Sequence, residues 1–173
     1  ATFGLGFREL SNSKKEVKTI ADMKGLTLRG YSTIQIAAWQ AIGATPTSTD
    51  WNELFVSMQQ GLLDGQEAAL STINDFSFYE VQKYISATNH IAEAWVVGMN
   101  PDKFASLDED LQTLIAETAQ EMQQWKLDYD NATDQADIDF MVEKGMEYNE
   151  LDEAGFAAFQ EVSKSLYPEF QKI

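Results

Sequence analysis

The feature that most constrains this chain is a stripe of apolar and small residues between residues 107 and 140. The stripe advances in steps of three and four, the spacing of one helix face, through Leu107, Leu111, Leu114, Thr118, Met122, Trp125, Tyr129, Ala132, Ala136 and Phe140. The run Ser106-Leu107-Asp108-Glu109 matches a capping box. A helix reaching Gly145 would be ~57 Å long, against ~30 Å for a small domain. It must bend, pack against more than one body, or divide into two helices near residues 128–131.

The region 23–68 predicts a strand, a helix, a turn, a second helix and a second strand. Arg29 ends the first strand, and the helices cover residues 32–42 and 50–60. In open α/β sheets, ligands bind where strands end and helices begin. The side chains expected to line one such crevice are Arg29, Ser32, Trp51 and the residues that follow Asp64.

Arginine use in this chain is sparse. Of 12 Lys and Arg residues only two, Arg8 and Arg29, are arginines, and each lies near the end of a strand-like run. Because lysine serves for solubility, the arginines indicate a need for a planar, bidentate donor, and a carboxylate ligand is the simplest candidate. The alternative is that each arginine pairs with a structural carboxylate, which the 28 acidic residues make easy. The sequence leaves both interpretations open.

Composition argues against several classes of function. A formal charge of -16 disfavours nucleic acid and anionic membranes, which require a basic surface. Cysteine is absent, and no phosphate loop, nucleophile motif or metal-ligand spacing is found, so neither a cofactor nor a metal is expected. His90, the only histidine, is expected to be structural. Asp64 and Glu67 form the one carboxylate pair that could serve acid and base chemistry.

Several runs together resemble a known family. They span the chain in order and nearly without gaps: Gly6-Phe7-Arg8, Asp22-Met23-Lys24-Gly25-Leu26-Thr27-Leu28-Arg29, Gly43-Ala44-Thr45-Pro46-Thr47, Glu53 with Met58-Gln59, Gly61 with Asp64-Gly65-Gln66-Glu67, Phe78-Tyr79-Glu80-Val81-Gln82-Lys83-Tyr84 and Thr88-Asn89-His90. The chain is similar to the extracytoplasmic solute-binding subunit, DctP type, of tripartite ATP-independent periplasmic (TRAP) transporters.

The resemblance implies an α/β fold, a lobe of the type II periplasmic-binding-protein kind with a long kinked C-terminal spine helix. Residues 1–99 would form the ligand-binding part of the second lobe with a hinge strand. Residues 100–173 would supply the spine helix and the segments that complete the lobe, and most of the first lobe would be absent. The implied function is a periplasmic receptor, not an enzyme, that binds an organic carboxylate between two lobes and delivers it to membrane permease subunits.

The resemblance also implies six ligand-binding positions: Arg8, Arg29, Ser32, Trp51, Ala68 and Trp95. Arg29 would form the two-point salt bridge to the carboxylate, and Trp51 an aromatic wall. Ala68 and Trp95 stand where relatives carry polar side chains. Because hydroxyl-specific sites depend on such groups, a flatter or more apolar acid is favoured over a polyhydroxylated sugar acid. Core packing remains the alternative for both tryptophans.

Three other expectations follow. A ligand-sensing module of the same fold remains open, as does a function from another class, an α/β enzyme or a helix-mediated assembly protein. The run Ala94-Trp95-Val96-Val97 predicts a buried strand. Part of the long stripe should be exposed without a first lobe, so the 173-residue chain is expected to self-associate.

Overall fold

A computed structural model describes residues 1–171, except for the side chains of residues 5, 169 and 170. Its centre is a mixed sheet in the order β3-β2-β4-β1-β5-β6. The strands are β1 (Thr2–Asn12), β2 (Thr27–Gly30), β3 (Thr45–Ser48), β4 (Gly65–Ala69), β5 (Tyr84–Val96) and β6 (Glu147–Glu150). β1 runs antiparallel to both β4 and β5, whereas β2 is parallel to β3 and β4.

The sheet confirms the strand–helix–helix–strand unit that the sequence predicts, with one correction. The expected turn over residues 45–48 is instead the edge strand β3, parallel to β2. This strand is short, mostly exposed and contains Pro46, as edge strands often do. It therefore lacks the apolar alternation by which a strand is recognised from sequence.

The helices are α1 (Thr33–Ala41), α2 (Leu54–Gln59), α3 (Leu70–Asp75), α4 (Pro101–Ala105), α5 (Glu109–Glu143), α6 (Glu153–Ser165) and α7 (Tyr167–Phe170). Short 3-10 turns precede β2 and α2 and follow α3. Ser32 caps α1, because its side chain accepts a hydrogen bond from the Gln35 amide. None of the helices within residues 1–171 is long and apolar enough to cross a membrane.

The long stripe forms a single helix, α5, of 35 residues. The two-helix alternative is therefore wrong. The predicted capping box is wrong as well, because Asp108 occupies the N-cap and makes no side-chain cap hydrogen bond. Ser106 instead ends α4, where its Oγ donates to the Lys103 carbonyl at 2.8 Å. Pro101 lies in the first turn of α4, a helix that the sequence did not predict, and this position suits proline.

Two apolar clusters stabilise the sheet. One contains Leu54, Met58, Ile73, Phe78 and Met141, from helices α2, α3 and α5 and the turn after α3. The other contains Leu10, Leu28, Trp39, Ile42 and Phe159, from strands β1 and β2 and helices α1 and α6. Ala68 of β4 belongs to the first cluster and Leu28 of β2 to the second, so packing in the two clusters stabilises both strands.

The far end of the β1–β5 ribbon is exposed. Trp95 is 62% exposed and Val96 is 78% exposed, so the expectation of a buried strand over residues 94–97 is wrong. The reason is the sheet topology: residues 94–96 pair only with residues 2–4, beyond the point where β4 and β6 end. Apolar side chains of α5 are exposed too, including Leu114, Met122 and Trp125, as the length of the stripe predicts.

Candidate functional site

Arg29 lies at the end of β2, directly before the loop that leads to α1. Its side chain is partly buried, and its Nε donates to the Thr49 carbonyl at 3.1 Å. Among the side chains that the structure describes, neither of its Nη atoms has a hydrogen-bond or carboxylate partner. The backbone around it is also held, since the Trp39 indole donates to the Arg29 carbonyl at 3.2 Å. Arg29 therefore presents an oriented guanidinium fork with free donors.

Two aromatic rings flank this guanidinium. Its carbon lies 5.1 Å from the centre of the Tyr31 ring and 5.2 Å from that of Trp51, within the range of a cation–π contact. Trp51 also packs edge-on against Phe76, with ring centres 4.9 Å apart. Both interpretations drawn from the sequence, core packing and an aromatic wall, therefore describe Trp51. It packs against the core and lies beside Arg29.

Arg8 is in a different environment. It is only 8% exposed, and its Nε forms a salt bridge with the Glu67 carboxylate. Its Nη2 donates to the Glu67 carbonyl at 2.7 Å and to Glu67 Oε1 at 3.0 Å, and its Nη1 lies 2.6 Å from Glu93 Oε1. The structural-carboxylate interpretation therefore describes Arg8 but not Arg29. A direct contact between Arg8 and a ligand stays a prediction.

Glu67 is the centre of a buried polar network. Besides Arg8, it accepts from Gln35 Nε2 at 2.5 Å and lies 3.4 Å from His90 Nε2. Burial alone would raise the pKa of Glu67, but its interactions with His90 and Arg8 outweigh burial and lower the pKa. Burial likewise disfavours the Arg8 cation, yet Glu67 and Glu93 raise the pKa of Arg8 overall. Both groups are therefore charged and hold each other in place.

The burial of Arg29 is not offset by a salt bridge of this kind. Burial lowers the pKa of its guanidinium, and repulsion from Arg8 acts in the same direction, against the attraction of Glu67. The Tyr31 ring lies beside both cations, because the Arg8 guanidinium carbon is 5.6 Å from its centre. The site therefore contains one neutralised arginine and one that an added anion would stabilise.

The other predicted site residues are placed as follows. Ser32 is partly buried and its Oγ accepts from the Gln35 amide at 3.2 Å, so its hydroxyl caps α1. Ala68 is 1% exposed and belongs to the apolar cluster against which Trp51 packs. Trp95 is exposed, and its indole Nε1 donates to Glu93 Oε1 at 3.2 Å. Their roles as ligand contacts stay predictions.

Four residues of this site are absent from the sequence-based set of six: Tyr31, Gln35, Glu67 and Glu93. Tyr31 could have been found, since an aromatic residue two positions after Arg29 lies in the loop expected to line the crevice. Gln35 and Glu93 gave no sequence signal, because their contacts depend on pairing between distant strands and helices.

The structure does not support acid and base chemistry by Asp64 and Glu67. Asp64 Oδ2 accepts from the Thr27 amide at 2.8 Å, and its other oxygen lies 3.4 Å from the Lys14 ammonium. Glu67 is committed to Arg8, Gln35 and His90. The two carboxylates therefore serve separate structural contacts.

A cavity of about 370 Å³ lies behind Tyr31, between α1 and α6. Its walls are largely apolar and include Trp39, Ile42, Phe159 and Leu166. No lysine or arginine of the described chain lines it. A carboxylate would therefore lack a guanidinium or ammonium partner there, and Arg29 at the sheet edge is the better anchor.

Comparison with known proteins matches residues 1–173 to the family DctP, bacterial extracellular solute-binding protein, family 7. The chain is 33% identical over 154 residues to the 2,3-diketo-L-gulonate-binding periplasmic protein YiaO of Escherichia coli. That alignment covers 88% of this chain and 47% of the relative. The chain thus spans about half the length of the curated relatives it matches.

Solved structures show the same relationship. A TRAP periplasmic solute-binding protein from Roseobacter denitrificans with bound L-galactonate is 31% identical, with a TM-score of 0.83 over 95% of this chain and 54% of that one. A second from Shewanella oneidensis with bound succinate is 25% identical, with a TM-score of 0.90 over 99% and 57%. These proteins are solute-binding receptors, and they confirm the predicted fold class. The family match and the structural likeness show that this chain belongs to the DctP family of TRAP periplasmic solute-binding proteins.

Proposed function

We propose that this chain forms the carboxylate-anchoring lobe of a TRAP receptor in the periplasm. In this proposal, Arg29 binds the carboxylate of an organic acid through two parallel N–H donors, and Tyr31 and Trp51 enclose the bound group. The complete receptor closes around the acid and delivers it to the membrane permease subunits of the transporter.

The free guanidinium fork of Arg29 carries the proposal. Its Nε is used by the Thr49 carbonyl, which fixes the plane of the group. The two Nη atoms have no partner among the described side chains, although a chain with 28 acidic residues offers many. An unpaired, partly buried cation is unfavourable by itself, and a bound carboxylate would offset that cost with charge-assisted hydrogen bonds.

The ligands of similar proteins support the same chemistry. The solved neighbours carry succinate and L-galactonate, both organic acids. A carboxylate is the group these ligands share, and a planar arginine fork matches its geometry. The aromatic walls lie beside the guanidinium and limit its exposure to water, which strengthens an electrostatic contact.

The test is the substitution Arg29→Lys in the full-length receptor. Lysine keeps the charge but loses the fork, so binding of a cognate acid, found by a thermal-shift screen, should weaken by ~1.5 to 3 kcal/mol. Isothermal titration calorimetry measures the change, and circular dichroism should show unchanged folding.

Arg8→Lys is the contrasting variant. Because Arg8 satisfies the buried Glu67 carboxylate, this change should reduce folding stability by roughly 1 to 3 kcal/mol. Unchanged affinity in Arg29→Lys would refute the anchor assignment.

A further inference from the structure

A second feature of the site is the carboxylate of Glu93, which lies on β5 beside Arg8. Its Oε1 is 2.6 Å from Arg8 Nη1 and accepts from the Trp95 indole at 3.2 Å. The Glu93 side chain is 17% exposed, whereas that of Glu67 is 1% exposed. Glu93 is thus the outer of the two carboxylates on Arg8 and the one that still meets solvent.

The charges around Tyr31 define what a ligand would encounter. Arg8 contributes one positive charge and receives two carboxylates, Glu67 and Glu93. Arg29 contributes the second positive charge and forms no salt bridge with a carboxylate that the structure describes. The four groups therefore sum to zero, with the positive end at Arg29 and the excess negative charge at Glu67 and Glu93. A monocarboxylate on Arg29 is complementary to this arrangement.

A second carboxylate on the same ligand is not complementary to these charges. The Tyr31 ring lies 5.1 Å from the Arg29 guanidinium carbon and 5.6 Å from that of Arg8. A ligand that binds Arg29 and extends across this ring approaches Arg8, whose charge is already matched by the two carboxylates of Glu67 and Glu93. Repulsion between like charges is strongest where solvent is partly excluded. A hydroxyl or amide donor at the same place could instead bind the Glu93 carboxylate.

We infer that Glu93 is a specificity determinant that restricts this site to acids with a single carboxylate and rejects dicarboxylates. The inference rests on the proposed function, since it needs Arg29 to bind the first carboxylate. Specificity of this kind comes from a repulsive group that acts against the wrong ligand. Glu93 is suited to that role because Arg8 and Trp95 hold it in place.

The experiment uses two matched pairs of acids, succinate with succinamate and terephthalate with terephthalamate. In each pair a neutral amide replaces one carboxylate. Binding is measured by isothermal titration calorimetry on the full-length receptor and on Glu93→Gln, whose amide oxygen can still accept from Arg8. The wild type should bind a monoamide at least ~10-fold tighter than its diacid, and Glu93→Gln should bind that diacid ~10-fold tighter while the monoamide changes less than ~3-fold.

Two further variants separate the outcomes. Glu80→Gln removes one exposed negative charge outside the site and should leave both affinities unchanged. Arg29→Lys should weaken every acid that binds. Diacids that bind the wild type as tightly as monoamides, an equal gain for both in Glu93→Gln, or no binding by any of the four acids would overturn the inference. Unchanged affinity in Arg29→Lys would overturn the proposed function instead.

Discussion

Replacing Glu9 with glutamine is expected to remove a pH dependence from the stability of this fold. Glu9 lies on β1 and is 4% exposed, and its Oε2 accepts from the Asn89 amide at 2.9 Å. Asn89 has a left-handed backbone, φ 46°, where the register between β1 and β5 shifts. Burial raises the pKa of Glu9 from its ordinary 4.5 to about 7, and the Asp134 carboxylate on α5 adds to this shift.

The direction of the change in folding stability with pH follows from proton binding. Between the two pKa values only the folded state binds a proton at Glu9, so folding is favoured at low pH and this contribution is lost as pH rises through about 7. A shift of this size corresponds to ~2 to 3 kcal/mol of stability between pH 5 and pH 8.5. Glutamine stays neutral and can still accept from Asn89, so the variant should lack this loss.

Urea unfolding of the 173-residue chain and of Glu9→Gln, at intervals from pH 5 to pH 8.5, measures the difference. The difference in free energy of unfolding should grow with pH in favour of the variant. Glu80→Gln, which removes an exposed carboxylate, is the control and should follow the wild type at every pH. Parallel curves for the wild type and Glu9→Gln would refute the reasoning, since Glu9 would then titrate alike in both states.

Two other predictions concern the ligand and the exposed surface. If Trp51 and Trp95 face the bound acid, indole fluorescence of the full-length receptor should change during titration with a cognate acid, and no change with an acid proven to bind would remove both from the site. The exposed face of α5, with Leu114 and Trp125, should make the 173-residue chain self-associate while the full-length receptor stays monomeric. Sedimentation of both at matched concentration decides this, and a chain that stays monomeric at every dilution would contradict it.

Much of the local structure could be predicted because it depends on short-range spacing. The stripe of α5 repeats every three or four residues, and this period identifies a helix without knowledge of its neighbours. Ser32 caps α1 through an amide three residues away, which is also a local contact. The edge strand β3 was missed because pairing with β2 defines it and its own pattern does not.

From the sequence it was already clear that two arginines stand near strand ends, and the resemblance of its motifs identified the family. Residue spacing alone could not separate the two arginines, and only the resemblance implied that Arg29 is the anchor. Their environments come from the antiparallel register of β1 and β4, which sets Arg8 opposite Ala69 and within reach of Glu67. Arg29 lies on the parallel strand β2, where no described carboxylate reaches its Nη atoms. Only the tertiary structure decided which guanidinium is free, because a salt bridge between residues 59 positions apart depends on strand pairing and not on local spacing.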